Sequence, residues 1–314
     1  LALSDELTLF ALFVIITWPD ANDRLFELAQ HVHGWGRSHT VDRLQPETAS
    51  IQQWLLTEGW RNMVMPAYSA ITCLQKGDFL TRLQQNMPCP GVDELLRIAL
   101  EGGPVASLLN ADEGEALSTC YLMLKTPLTL ARLETLSVLG EGLTDTDWPT
   151  RESLAQQAQA LLASPEAITL LTQAIAQGEG YALALKLGLD CSQDIFERIH
   201  AHFEDSYPLA ALLFDVDRYG EELITLFTKQ LPLDTLATGP ALELGTGPEF
   251  ASYQKLVFIV QYLHAYPHKG QELLLCALQA PVVNCRNMAL NVLEEWLDAG
   301  HTLSLALQIA LRKL

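Results

Sequence analysis

Apolar residues recur at helical rather than strand spacing along nearly the whole chain, in segments separated by Gly, Pro or Asp/Asn. The pattern predicts helices over 4–17, 20–33, 46–58, 61–74, 77–86, 92–101, 112–124, 127–140, 150–163, 165–177 and 179–187. It continues over 192–203, 207–214, 218–230, 249–265, 269–279, 282–298 and 301–312. The first segment is apolar nearly all round, which predicts burial on every side. Asp20 is placed to N-cap the second, Gly34-Trp35-Gly36 to end it, and Gly59 to close the helix from Pro46. No segment alternates as a half-buried strand would.

The stretch 279–297 carries the clearest architectural signal. Pro281 sits at the expected helix start, followed by Val283, Met288, Leu290, Val292, Leu293, Trp296 and Leu297 at helical spacing. This Pro, Val, Arg, Ala-Leu order is that of an inner helix of a HEAT-like repeat, which needs stacked neighbours to bury its apolar face. Arg61-Asn62-Met63 repeats as Arg286-Asn287-Met288, each expected near the start of a helix. The expected fold is all-α, an α-solenoid of HEAT/ARM-like antiparallel hairpins over 1–314. Sub-blocks at 1–87, 91–230 and 249–314 are expected, with an irregular loop over 231–248.

Three ordered groups of residues carry a family resemblance. The first is Trp18-Pro19-Asp20-Ala21, Trp35-Gly36, Val41-Asp42, Leu44, Pro46, Gly59, Arg61-Asn62 and Met65-Pro66-Ala67-Tyr68. The second runs from Leu231-Pro232-Leu233 through Ala237-Thr238-Gly239-Pro240-Ala241 to Phe250. The third is Tyr266-Pro267, Gly270, Pro281-Val282-Val283, Arg286-Asn287 and Ala289-Leu290. Together they resemble a bacterial HEAT-like helical-repeat family whose members are often labelled limonene hydroxylase, while 90–230 matches in helical texture alone. The resemblance implies terpene hydroxylation. Such chemistry calls for a haem with a Cys ligand, a flavin site or a His/carboxylate iron triad. The residues show no Gly-rich dinucleotide fingerprint after a strand, no haem-binding loop around a cysteine and no paired Glu-x-x-His motifs.

Composition narrows the partner. Nineteen basic residues against 38 acidic ones give a net charge of -19, which repels phosphate backbones and anionic lipid. Neither nucleic acid nor membrane is expected as a partner, whereas a basic protein or peptide suits the charge. Six scattered cysteines without a CxxC pair read as buried thiols in a reducing compartment. The apolar run Leu7–Trp18 is too short to span a bilayer and follows Asp5 and Glu6 instead of a basic stretch, so a cytoplasmic location is expected.

Candidate chemistry is sparse. His31, His33 and His39 with Asp42, and His200 and His202 with Glu204 and Asp205, are the densest groups of potential metal ligands, but residues two apart on a helix diverge. Pro267 interrupts the i, i+4 pair His264 and His268. No Gly-x-Ser-x-Gly elbow occurs. No catalytic residue, metal or cofactor is assigned. The expected function is a non-enzymatic scaffold that binds a protein or peptide through a concave, acidic-rimmed surface. Its anchors would be Trp35, Arg37, Trp60, Arg61, Asn62, Tyr68, Arg286 and Asn287. Alternatives are an immunity-type protein that neutralises a basic toxin or enzyme, and the hydroxylase that the resemblance implies.

Overall fold

The computed structural model describes residues 7–87, 90–102 and 111–313. Among them the fold is all-α, without a β-strand; one isolated parallel bridge joins Glu243 to Val282. The chain forms two compact units, Leu1–Leu183 and Ala184–Leu314.

In the first unit, helices close in sequence pack on one another. Thr8–Ile15 and Ala21–Ala29 both lie on Gly34–Arg43, and Pro66–Lys76 packs on Val92–Leu100. Leu130–Thr144 packs on Val92–Leu100 and pairs with Arg151–Leu162. Serine and threonine hydroxyls cap several starts: Thr48 Oγ1 accepts from Ile51 N–H, Thr129 Oγ1 from Arg132 N–H and Ser164 Oγ from Ala167 N–H. Asp20 stands at the N-cap of Ala21–Ala29 but makes no capping bond; its carboxylate pairs with Arg24 instead.

Gly34–Arg43 is a helix that the sequence pattern conceals, because Gly34 and Gly36 read as breakers. Close packing explains Gly36: a Cβ there would lie 2.7 Å from Thr8 Oγ1, so glycine lets the first helix approach. The helix expected over 46–58 is instead Ala49–Trp54 continued as a π-turn, Leu55–Gly59, so Gly59 is not a left-handed C′ residue. A Cβ on Gly59 would sit 3.0 Å from the Trp54 ring and 3.1 Å from Cys73 Sγ, which accounts for glycine at the widened turn. The helix expected from Arg61 starts at Pro66.

The first helix departs most from expectation. Thr8, Leu12 and Ile15 are buried, while Phe10, Phe13 and Val14 are exposed, as are Ile16 and Trp18 just beyond.

In the second unit, Val283–Asp298 is the central element, contacted by Ala251–Val260 and Gln271–Leu278. Its buried face is Cys285, Ala289, Val292, Leu293 and Trp296; of the residues read from apolar spacing, Val292, Leu293 and Trp296 lie on it, whereas Leu290 and Leu297 are exposed. Pro281 precedes its first turn, and the chain over 237–247 runs alongside 279–283 as a strap. Gly239 N–H donates to Gln279 O, Glu243 N–H to Pro281 O and Val283 N–H to Glu243 O. Arg286 fastens that strap, its guanidinium donating to Ala280 O, Pro281 O and Ala241 O. Within 231–248, Leu233–Leu236 is thus a short helix and 237–247 is ordered by backbone pairing that apolar periodicity does not encode. The two Arg-Asn-Met tripeptides occupy different settings: Arg61–Met63 lies between the π-turn and Pro66, Arg286–Met288 inside a helix.

Candidate functional site

The first unit brings most of the sequence-predicted anchors to one region. Asn62 ties it together: its two Nδ2 N–H groups are shared among Gly34 O, Ser38 Oγ and Val64 O, each at 2.9 Å. This fixes the 61–65 segment against the start of Gly34–Arg43. Arg37 is buried, donates from Nη2 to Glu58 O at 2.9 Å and lies 5.3 Å from the Trp54 ring centroid. Burial pushes its guanidinium below the ordinary arginine range. The π-turn thus presents the carbonyl that a buried arginine needs. At the other end of Gly34–Arg43, Lys76 Nζ donates to Val41 O, Asp42 O and Leu44 O, closing the helix C-terminus with a cation.

Trp60 is 2% exposed and donates from Nε1 to Leu56 O. Arg61 covers its ring at 4.3 Å and pairs with Glu94 at 3.2 Å. Trp60 and Arg37 are thus buried ties, and Asn62 is a half-buried one.

What faces outward is a different set. Trp35 is exposed and stacks on His39, and the Tyr68 hydroxyl donates to Asp42 Oδ1 at 3.3 Å. The Asp42 carboxylate, with some burial, raises the Tyr68 hydroxyl above its ordinary range. Met63 is 96% exposed, and Met65, also exposed, takes a left-handed φ of 50° just before Pro66. On the adjoining first helix Phe10 and Phe13 project, with the Arg43 guanidinium 5.8 Å from the Phe13 ring centroid. Met63, Met65, Phe10 and Phe13 escaped the sequence reading. Their available signals were the apolar Met63-Val64-Met65 run before a proline and a short helix with more apolar residues than one face can bury.

Arg286 and Asn287 belong to the second unit, where Arg286 bonds backbone carbonyls and Asn287 is exposed. The anticipated single set of anchors is therefore divided between two units. Among the described residues no three His, Cys, Asp or Glu side chains are grouped as metal ligands would be, and no helix is long and apolar enough to cross a membrane. His39 stacks on Trp35, and His268 lies against Trp296 and His301. No family model, curated protein or solved structure matches the chain.

Cys73, Cys120, Cys276 and Cys285 are free thiols; Cys89 lies outside the described residues. Burial pushes Cys73 and Cys276 up to about 12 and Cys285 up to about 11. A raised folded-state value means that this stabilisation is complete below the unfolded thiol's range, near 8.5, and fades as pH climbs toward 11 and 12. Iodoacetamide at pH 7.5 should leave these three unmodified in native protein and label all of them in urea, as read by peptide mass spectrometry. Urea midpoints should fall from pH 8 to pH 10.5, with a limiting slope of roughly 1.4 kcal/mol per pH unit per fully buried thiol. Rapid labelling of Cys73 in native protein would contradict this.

Proposed function

We propose that this chain is a non-enzymatic helical scaffold that docks a basic protein or peptide on the exposed apolar surface of its first unit. One observation carries the reading: exposed large apolar side chains concentrate between Leu7 and Tyr68, among them Phe10, Phe13, Trp35, Met63 and Met65. Scattered exposed apolar residues are ordinary, but a concentration on packed, adjacent elements marks an interaction surface. Methionine adapts to a partner's shape, and aromatic side chains supply anchors. The net charge of -19 favours a basic partner and steers its encounter. A HEAT/ARM-like stack of hairpins in each unit is the architecture that fits this role. Its support is the packing of helices on near neighbours in sequence, as in Leu130–Thr144 on Arg151–Leu162 and Gln271–Leu278 on Val283–Asp298.

The test is affinity capture from the source cells with wild type and with Phe10→Ser/Met63→Ser/Tyr68→Ser. The scaffold reading expects at least one protein retained by wild type to fall at least tenfold with the variant, at unchanged circular dichroism and melting. Purified, that partner should bind with an affinity that drops as salt rises. Identical capture by both chains, or binding insensitive to ionic strength, would overturn the reading.

A further inference from the structure

A concavity lies wholly within the second unit. It encloses about 440 Å3 and is lined by Phe214, Asp215, Asp217, Tyr262, His264 and Tyr266. Phe214 and Tyr262 stack at 4.3 Å with rings 9° apart, and Tyr266 meets Phe214 edge-on at 5.8 Å. The Tyr266 hydroxyl donates to Asp217 Oδ1 at 3.3 Å. Burial, followed by Asp215, raises the Tyr262 hydroxyl above its ordinary range; burial, followed by Asp217, does the same for Tyr266.

Two carboxylates stand beside three aromatic rings, and neither a lysine nor an arginine lines the pocket. Among the described residues neither Asp215 nor Asp217 has a Lys, Arg or His partner within ion-pair distance. The adjacent cations are engaged elsewhere: Arg218 pairs with Asp190 at 3.2 Å and Lys269 with Glu221 at 2.9 Å. The backbone is shaped to hold the arrangement. Asp217 has φ 51° and Tyr219 φ 58°, and a Cβ on Gly220 would lie 2.1 Å from the Tyr266 hydroxyl. Only glycine at 220 leaves Tyr266 room to reach Asp217.

We infer that this pocket binds an organic cation, an alkylammonium or guanidinium group. Ring faces attract such a cation through their quadrupoles, and the carboxylates supply the charge that a neutral apolar pocket lacks. An inorganic cation would gain little from aromatic walls, and an anion would meet two carboxylates. The volume is within the range of small-ligand sites and admits a cationic head with its alkyl stem. The cation's source is either a free amine or a Lys or Arg side chain of a polypeptide. The inference stands whether or not the first unit docks a protein.

The test is calorimetry, with tyrosine-selective NMR, on the full chain using n-butylammonium, tetramethylammonium, a neutral alcohol of matching shape, and a short lysine-containing peptide. The cations should bind and shift the Tyr262 and Tyr266 resonances, and the alcohol should bind at least tenfold more weakly. Asp215→Asn/Asp217→Asn should reduce cation affinity at least tenfold; asparagine tolerates the left-handed backbone at 217, so the fold is kept. Peptide binding more than tenfold tighter than butylammonium assigns the source to a polypeptide; comparable binding assigns it to a free amine. Either result upholds the cation site. Equal binding of alcohol and cation, unshifted tyrosine resonances, or affinity unchanged in the doubly substituted chain at wild-type melting temperature would overturn it.

Discussion

Trp60→Ala should destabilise the first unit by about 3–5 kcal/mol, the usual cost of removing a buried tryptophan. Its ring is 2% exposed, its N–H satisfies Leu56 O at 3.0 Å, and its face supports Arg61 at 4.3 Å. Alanine leaves a cavity, an orphaned carbonyl at the π-turn and an unsupported guanidinium. Trp60→Phe restores most of the volume without the donor and should cost about 1–3 kcal/mol, the penalty of an unsatisfied buried carbonyl. Arg61→Ala should cost at most about 1 kcal/mol, because its ion pairs with Glu94 and Glu58 are substantially exposed. Urea unfolding with hydrogen exchange resolved by peptide measures all three. A Trp60→Ala chain that kept wild-type stability while losing a partner would make Trp60 a binding residue after all.

Trp296→Ala should produce a comparable loss, about 3–5 kcal/mol, in the second unit. Trp296 is 1% exposed, and Nε1 donates to Leu263 O at 3.0 Å and His264 O at 3.2 Å. Those carbonyls belong to the 3-10 turn Gln261–Ala265, which carries Tyr262 of the acidic aromatic pocket and runs into Tyr266. Trp296→Phe fills much of the space but removes the indole donor from both carbonyls, leaving Leu263 O with the Tyr266 N–H alone. It should therefore raise exchange over 261–266 more than it lowers the melting temperature. Unchanged exchange across that turn would show that the indole N–H does not hold it.

Val283–Asp298 was readable in part: Val292, Leu293 and Trp296 are buried where the apolar spacing puts them, whereas Leu290 and Leu297 are exposed and Cys285 and Ala289 complete the buried face. The all-α class was legible from the same spacing, and Pro165–Gln177 matches its expected bounds, set by the Ser164 cap and the left-handed Gly178. Gly34–Arg43 was illegible because helix propensity penalises Gly36, while the compensating approach of Thr8 is a tertiary fact. The same limit governs the candidate site. The sequence groups Trp35, Trp60 and Tyr68 as anchors but does not show that Trp60, at the end of the π-turn, is buried while Trp35 and Tyr68 stay outside. Asn62 and Asn287 looked alike by tripeptide; Asn62 bonds a helix start and the Val64 carbonyl, whereas Asn287 is exposed and its neighbour Arg286 secures the strap. The pocket at Phe214 and Tyr262 joins residues 48 apart in a chain with few aromatics, a pairing that no local period reveals.

The claim that the first unit is a docking surface is tested most directly by photo-crosslinking. A photoreactive residue would replace Met63, 96% exposed and one of the exposed apolar set, or Gln156, exposed on Arg151–Leu162 as a control. Irradiation in the source cells should join position 63 to one basic protein at high yield, and Phe10→Ser/Tyr68→Ser in the same chain should abolish that product. No product at position 63, or the same products from positions 63 and 156, would contradict the account.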